Sequence, residues 1–63
     1  MLIREAIEKA NTNQGIRRSN WNNICIVPTD TERCCLIFED GKILSSRWNP
    51  KREDLIATDW TLA

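Results

Sequence analysis

Between residues 2 and 11 the apolar side chains fall at Ile3, Ala6, Ile7 and Ala10, with Arg4, Glu5, Glu8 and Lys9 at the other positions. This is the i, i+3, i+4, i+7 spacing of one helix face, and it predicts a short amphipathic helix. Glu5 and Lys9 stand at i, i+4 in the favourable order, and Asn11-Thr12-Asn13-Gln14-Gly15 supplies the stop. Beyond Gly15 the pattern shortens to extended pieces. Gly15 to Arg18 reads as one strand, Ser19 to Asn23 as a polar turn, and Ile24-Cys25-Ile26-Val27, ended by Pro28, as a second strand.

Thr29 to Glu32 reads as a polar loop, and two further strands, Arg33 to Glu39 and Lys42 to Trp48, flank Asp40-Gly41, a dipeptide suited to a two-residue type I′ hairpin. With that turn the expected cross-strand pairs are Glu39 with Lys42, Phe38 with Ile43, Ile37 with Leu44 and Leu36 with Ser45. Continued, the register pairs Cys35 with Ser46, Cys34 with Arg47 and Arg33 with Trp48. Phe38, Ile43 and Leu36 then share one face while Ile37 and Leu44 share the other, so both faces are apolar near the turn. One short helix cannot cover two faces, and exposed apolar patches are avoided by monomers, so self-association through sheet faces or edges is expected.

In the tail, Asn49 suits a helix N-cap and Pro50 a first helical position, with Leu55 and Ile56 as anchors. Asp59 to Leu62 then closes the sheet as a last strand. The chain is therefore expected to be α+β: an N-terminal helix packed on a small antiparallel β-sheet, with a short helical turn before the last strand.

Composition narrows the function. At 63 residues the chain is a single domain, 1–63, and it buries only about 60% of its unfolded surface, so its own core is marginal without partner chains. Nine basic and nine acidic side chains cancel, four of each in the first 32 residues and five of each in the rest, so no bulk field draws the protein to nucleic acid or membrane. There is no His, which removes the commonest acid–base group near neutral pH and weakens hydrolase and metalloenzyme readings. Cys25, Cys34 and Cys35 show neither zinc-type spacing nor an even disulfide set, which fits a reducing cytosol, and Cys34-Cys35 reads as two apolar thiols. No apolar run approaches the ~20 residues that cross a bilayer. No metal, cofactor or catalytic residue is expected.

The candidate chemistry lies around three tryptophans set among polar residues: Arg17-Arg18-x-x-Trp21-Asn22, Arg47-Trp48-Asn49 and Thr58-Asp59-Trp60. An indole beside guanidinium and amide groups suits a nucleobase and its phosphates, through stacking and forked hydrogen bonds. Packing is the commoner role of a single Trp in so small a domain, and Trp60, beside Leu62, is the strongest core candidate. Arg17 and Arg18 point to opposite faces of a strand, so only one of them serves a given pocket. Asp54 and Asp59 are the one carboxylate pair near the tryptophans, and backbone N–H groups, a ribose hydroxyl or an Arg as partner explain Asp59 better than glycosidase-type acid–base work does.

The helix Ile3 to Ala10, the segment Gly15-Ile16-Arg17-Arg18-x-x-Trp21-Asn22, and the tail Trp48-Asn49-Pro50-x-x-x-Asp54-Leu55-Ile56-Ala57-x-Asp59-Trp60 together resemble the second Thoeris anti-defence family of phage proteins. The long tail pattern is the specific part, and the likeness covers both ends of the chain around a middle, Pro28 to Arg47, that is shorter than is usual there. The resemblance implies a small α+β homo-oligomer, dimer or tetramer, that works in the host cytoplasm. It would sequester a cyclic nucleotide messenger, a cyclic ADP-ribose isomer made by a host TIR-domain enzyme, without cleaving it; some relatives are similar in taking up other cyclic oligonucleotides. It also implies Trp21 or Trp48 stacking on adenine, Arg17 or Arg18 at the pyrophosphate, and Asn22, Asn49 or Asp59 at ribose hydroxyls, with Asp54 among the matching positions. The competing expectations are a phage inhibitor that docks on a host defence protein, such as a CRISPR effector, and a single-strand nucleic-acid binder, which the zero net charge disfavours.

Overall fold

The computed structural model describes residues 1–11, 14–31, 35–45 and 47–63. The elements run α1 (Ile3–Lys9), β1 (Ile16–Arg18), β2 (Ile24–Pro28), β3 (Cys35–Glu39), β4 (Lys42–Ser45), α2 (Arg52–Ile56) and β5 (Trp60–Leu62). The strands form one sheet in the order β4-β3-β2-β1-β5, with every pairing antiparallel. The expected α+β class and its helix–sheet–turn–strand layout are what the chain adopts.

The pairings sort the side chains onto two faces, because directly paired residues share a face and successive residues alternate. Ile16 pairs with Ile26 and Leu62, Arg18 with Trp60, and Ile26 with Ile37, which places all of these on one side. That side holds the core: Ala6, Ile16, Ile26 and Trp60 are fully buried, and Met1, Ile3, Ala10, Trp21, Trp48 and Leu62 pack around them. Both helices lie here, α1 through Ala6 and α2 through a hydrogen bond from Trp60 Nε1 to the Asp54 carbonyl, 2.8 Å. The other face carries Cys25 paired with Phe38 and Val27 with Leu36, with Ile43 beyond Phe38. Val27 is buried yet stands apart from the core cluster, and neither helix lies on this face.

Asp40 and Gly41 both take positive φ, 52° and 80°, as the expected type I′ turn requires, and Glu39–Lys42 and Phe38–Ile43 pair as expected. The register then slips. Ser45 lies opposite Ile37, in place of the expected Ile37–Leu44 and Leu36–Ser45 pairs, because Leu44 is an extra residue in a bulge. Trp48 donates its amide to the Cys35 carbonyl at 3.0 Å, where Arg33 had been its expected neighbour. The pairs involving Arg33, Cys34 or Ser46 lie outside the described residues, as does the vicinal Cys34-Cys35 reading.

Three helical details differ from expectation. Ile7 is 42% exposed, while Ala6 is the fully buried residue of α1. The ion pair that forms on α1 is Arg4–Glu8 at 2.8 Å, while Glu5 accepts the Leu2 amide at 3.0 Å in place of Lys9. Helix α2 starts at Arg52 with Lys51 as N-cap, two residues later than the Asn49-Pro50 start. Asp54 fixes this start, since its Oδ2 accepts the Lys51 amide at 3.0 Å and so satisfies a donor that would otherwise be orphaned.

Candidate functional site

Strand β1 ends in a tight turn, closed by the Trp21 amide donating to the Arg18 carbonyl at 3.1 Å, and this turn brings most of the sequence-predicted residues together. Arg18 shares the core side with Trp60, so its guanidinium reaches the chain before β5. Its Nε donates to Asp59 Oδ1 at 2.9 Å and its Nη1 to Asp54 Oδ1 at 3.1 Å. The second oxygen of Asp59 accepts the Ser19 hydroxyl at 2.9 Å, and the second oxygen of Asp54 is the one that holds Lys51. Each carboxylate oxygen of the pair therefore already has a donor. The hydrogen bond from Arg18, followed by that from Ser19, holds the Asp59 carboxyl below its ordinary value, and Asp59 in turn raises Arg18. This Arg18–Asp54–Asp59 group clamps α2 and the approach to β5 onto the end of β1. It occupies Arg18 and Asp59, two of the groups that the resemblance offers to pyrophosphate and ribose.

The three tryptophans form a compact trio. Ring centroids are 5.2 Å apart for Trp21–Trp60, 5.9 Å for Trp48–Trp60 and 6.4 Å for Trp21–Trp48, with interplanar angles near 80° throughout. Each edge of one indole thus meets the face of another, the arrangement that ring quadrupoles favour. Trp60 is the buried member, as expected, while Trp21 and Trp48 are half-buried. Packing fixes their planes and leaves part of each accessible.

Arg17 is on the opposite face from Arg18, as strand alternation requires, and bends back around the turn. Its Nη1 donates to the carbonyls of Arg18, Ser19 and Trp21 at 3.2, 3.3 and 3.2 Å, which keeps the cation beside the Trp21 backbone. Asn22 and Asn49 are exposed, each next in sequence to one of the half-buried indoles. Of the predicted set, Arg17, Trp21, Asn22, Trp48 and Asn49 are thus available to a ligand, while Arg18, Asp54 and Asp59 serve one another.

A groove of about 420 Å³ opens elsewhere, between the end of α1 and the loop after β2, lined by Ile7, Ala10, Asn11, Gln14, Pro28 and Thr29 to Thr31. Sequence reasoning did not single it out, because its only signal is a pair of polar loops distant along the chain. Among the described residues no group of three or more His, Cys, Asp or Glu is placed to hold a metal ion.

A family model described as the Thoeris anti-defense 2-like domain, Tad2-like, matches residues 1–63, the whole chain. No curated protein and no solved structure matches it.

Proposed function

We propose that this chain, which belongs to the Tad2-like family of Thoeris anti-defense 2-like proteins, sequesters a cyclic nucleotide messenger of host immunity, a cyclic ADP-ribose isomer, and does not cleave it. The family carries the anti-defence role of a phage protein; the messenger and its sequestration are the further step. The observation that supports this step is the half-buried Trp21–Trp48 pair, held edge to face at 6.4 Å, with the Arg17 guanidinium on the Trp21 backbone carbonyl at 3.2 Å. A preset indole stacks a base with little loss of side-chain freedom, and a guanidinium meets pyrophosphate oxygens in forked geometry. Trp21 or Trp48 takes the adenine, Arg17 the pyrophosphate, and Asn22 or Asn49 the ribose hydroxyls.

Binding without turnover suits the carboxylates. A glycosidic cleavage needs one carboxyl held protonated as acid, whereas Asp59 is pushed the other way by Arg18. The protein acts in the host cytoplasm, where such a messenger is made, as a homo-oligomer that completes the pocket between protomers. Among the described residues no helix is long and apolar enough to cross a membrane.

The test is equilibrium binding of cyclic ADP-ribose isomers, followed by denaturation and mass analysis of the released nucleotide. Intact nucleotide is expected, and a processed product would refute sequestration. Trp48→Ala and Arg17→Ala should each abolish binding while the assembly survives; normal binding by both would displace the site. A flat response to every nucleotide, with a host defence protein retained instead, would favour the inhibitor reading.

A further inference from the structure

Arg17 and Arg18 are neighbours in β1, yet the fold treats their charges differently. Arg18 meets two carboxylates, at 2.9 and 3.1 Å. Arg17 forms no ion pair among the described residues, and only its Nη1 is used, on the carbonyls of Arg18, Ser19 and Trp21. Those bonds fix the guanidinium without neutralising it. Its Nε–H and an Nη2–H, parallel along the other edge of the plane, remain as an unused fork. Arg17 is half-buried, and a cation withdrawn from water without a counter-ion is costly unless an anion joins it.

The register supplies a second donor. Thr61 of β5 stands directly opposite Arg17, so both side chains leave the helix-free face of the sheet, with their Cβ atoms about 5 Å apart. Thr61 is half-buried, and its hydroxyl has no partner among the described residues. Asp59, two positions earlier, does not compete for Arg17, because its oxygens are held by Arg18 and Ser19. We infer that Arg17 and Thr61 together form a diphosphate subsite on this face. The Arg17 Nε–H and Nη2–H donate to two non-bridging oxygens and the Thr61 hydroxyl to a third, while Nη1 stays on its carbonyls. Three donors discriminate between anions. The fork takes both oxygens of a carboxylate and leaves Thr61 idle, whereas a bridged diphosphate has oxygens to spare for the hydroxyl. The source of the diphosphate rests on the nucleotide reading; the residues that hold it follow from the strand register. Because Nη1 also grips the Trp21 carbonyl, one turn sets both the diphosphate and the indole for the base. Lysine would not serve, since a single ammonium cannot hold the turn and offer a fork at once.

The experiment follows the Arg17 Nε–H resonance of the isotope-labelled full chain while inorganic pyrophosphate is added, with acetate at matched ionic strength as the comparison. Wild type should show a saturable shift with pyrophosphate at millimolar concentration and a much weaker one with acetate. Thr61→Val keeps the size and strand preference of the side chain and removes the hydroxyl, so it should weaken pyrophosphate binding by roughly tenfold, the share of one hydrogen bond to a charged group, and Thr61→Ser should restore it. Arg17→Lys, read from the Thr61 amide, should weaken binding by at least as much. Thr58→Val, at an exposed position that contributes only its carbonyl, should bind as wild type does. No saturable shift with pyrophosphate, equal binding by Thr61→Val, or acetate bound as tightly as pyrophosphate would each overturn the subsite. Pyrophosphate binding with a flat response to every cyclic ADP-ribose isomer would keep the subsite and defeat the sequestration. An isomer bound equally by wild type and Thr61→Val would keep the sequestration and defeat the subsite.

Discussion

Replacing Trp60 with Phe tests whether the indole trio and the site it supports are built as described. Trp60 is 1% exposed, meets Trp21 at 5.2 Å and Trp48 at 5.9 Å, and donates Nε1–H to the Asp54 carbonyl at 2.8 Å. Phe keeps a ring but removes the donor, which costs about 1 kcal/mol for the net hydrogen bond and more if the carbonyl stays dry. The smaller ring also gives up about three buried heavy atoms, on the order of 2 kcal/mol with incomplete collapse of the space. Together these cost ~3 kcal/mol, a large fraction of the roughly 3–9 kcal/mol expected for a domain of this length. The melting temperature followed by far-UV circular dichroism should therefore fall by roughly 12–24 °C. Trp48→Phe, at a half-buried ring, should cost about 1 kcal/mol, or roughly 4–8 °C. A fall below about 4 °C for Trp60→Phe, or equal falls for the two variants, would show that Trp60 does not anchor the trio.

Other perturbations follow from the same contacts. A Cβ on Gly15 would lie 2.6 Å from Cys25 Sγ and 3.0 Å from its Cβ, so Gly15→Ala should destabilise by about 1–3 kcal/mol, and adding Cys25→Ala should recover part of that in a denaturant titration. Gly41 has φ of 80° with nothing within 4 Å of the added carbon, so Gly41→Ala should cost about 1 kcal/mol from backbone strain alone. Because the folded pKa of Asp59 is depressed below its ordinary 3.8, its stabilising contribution is complete above that value and is lost as pH falls through the lower folded value. Asp59→Asn should accordingly flatten the acid limb of the stability–pH curve below about pH 4, and an unchanged limb would refute the clamp.

Local chemistry made much of this fold legible. Asp40-Gly41 specified its turn because the required positive φ is a property of those two residues, and the Ala6-centred stripe of α1 is a matter of helical spacing. The bulge at Leu44 was not legible, since a one-residue slip depends on what the whole strand packs against. Nor was the start of α2, which is set by an Asp54 carboxylate already tied to Arg18, 36 residues earlier. The same long-range contact divided the candidate site. Sequence placed Arg17, Arg18, Asp54 and Asp59 near the tryptophans, but only the folded register shows that Arg18 consumes both carboxylates while Arg17 stays with the Trp21 turn.

The most direct test of sequestration is the melting temperature of the protein alone and with a panel of cyclic ADP-ribose isomers and cyclic di- and trinucleotides. A ligand present at about 100 times its dissociation constant adds ~2.7 kcal/mol, and each kcal/mol moves a domain of this size by roughly 4–8 °C. A rise on the order of 10–20 °C with a cyclic ADP-ribose isomer is the expected result. No shift with any member of the panel at millimolar concentration would contradict the account.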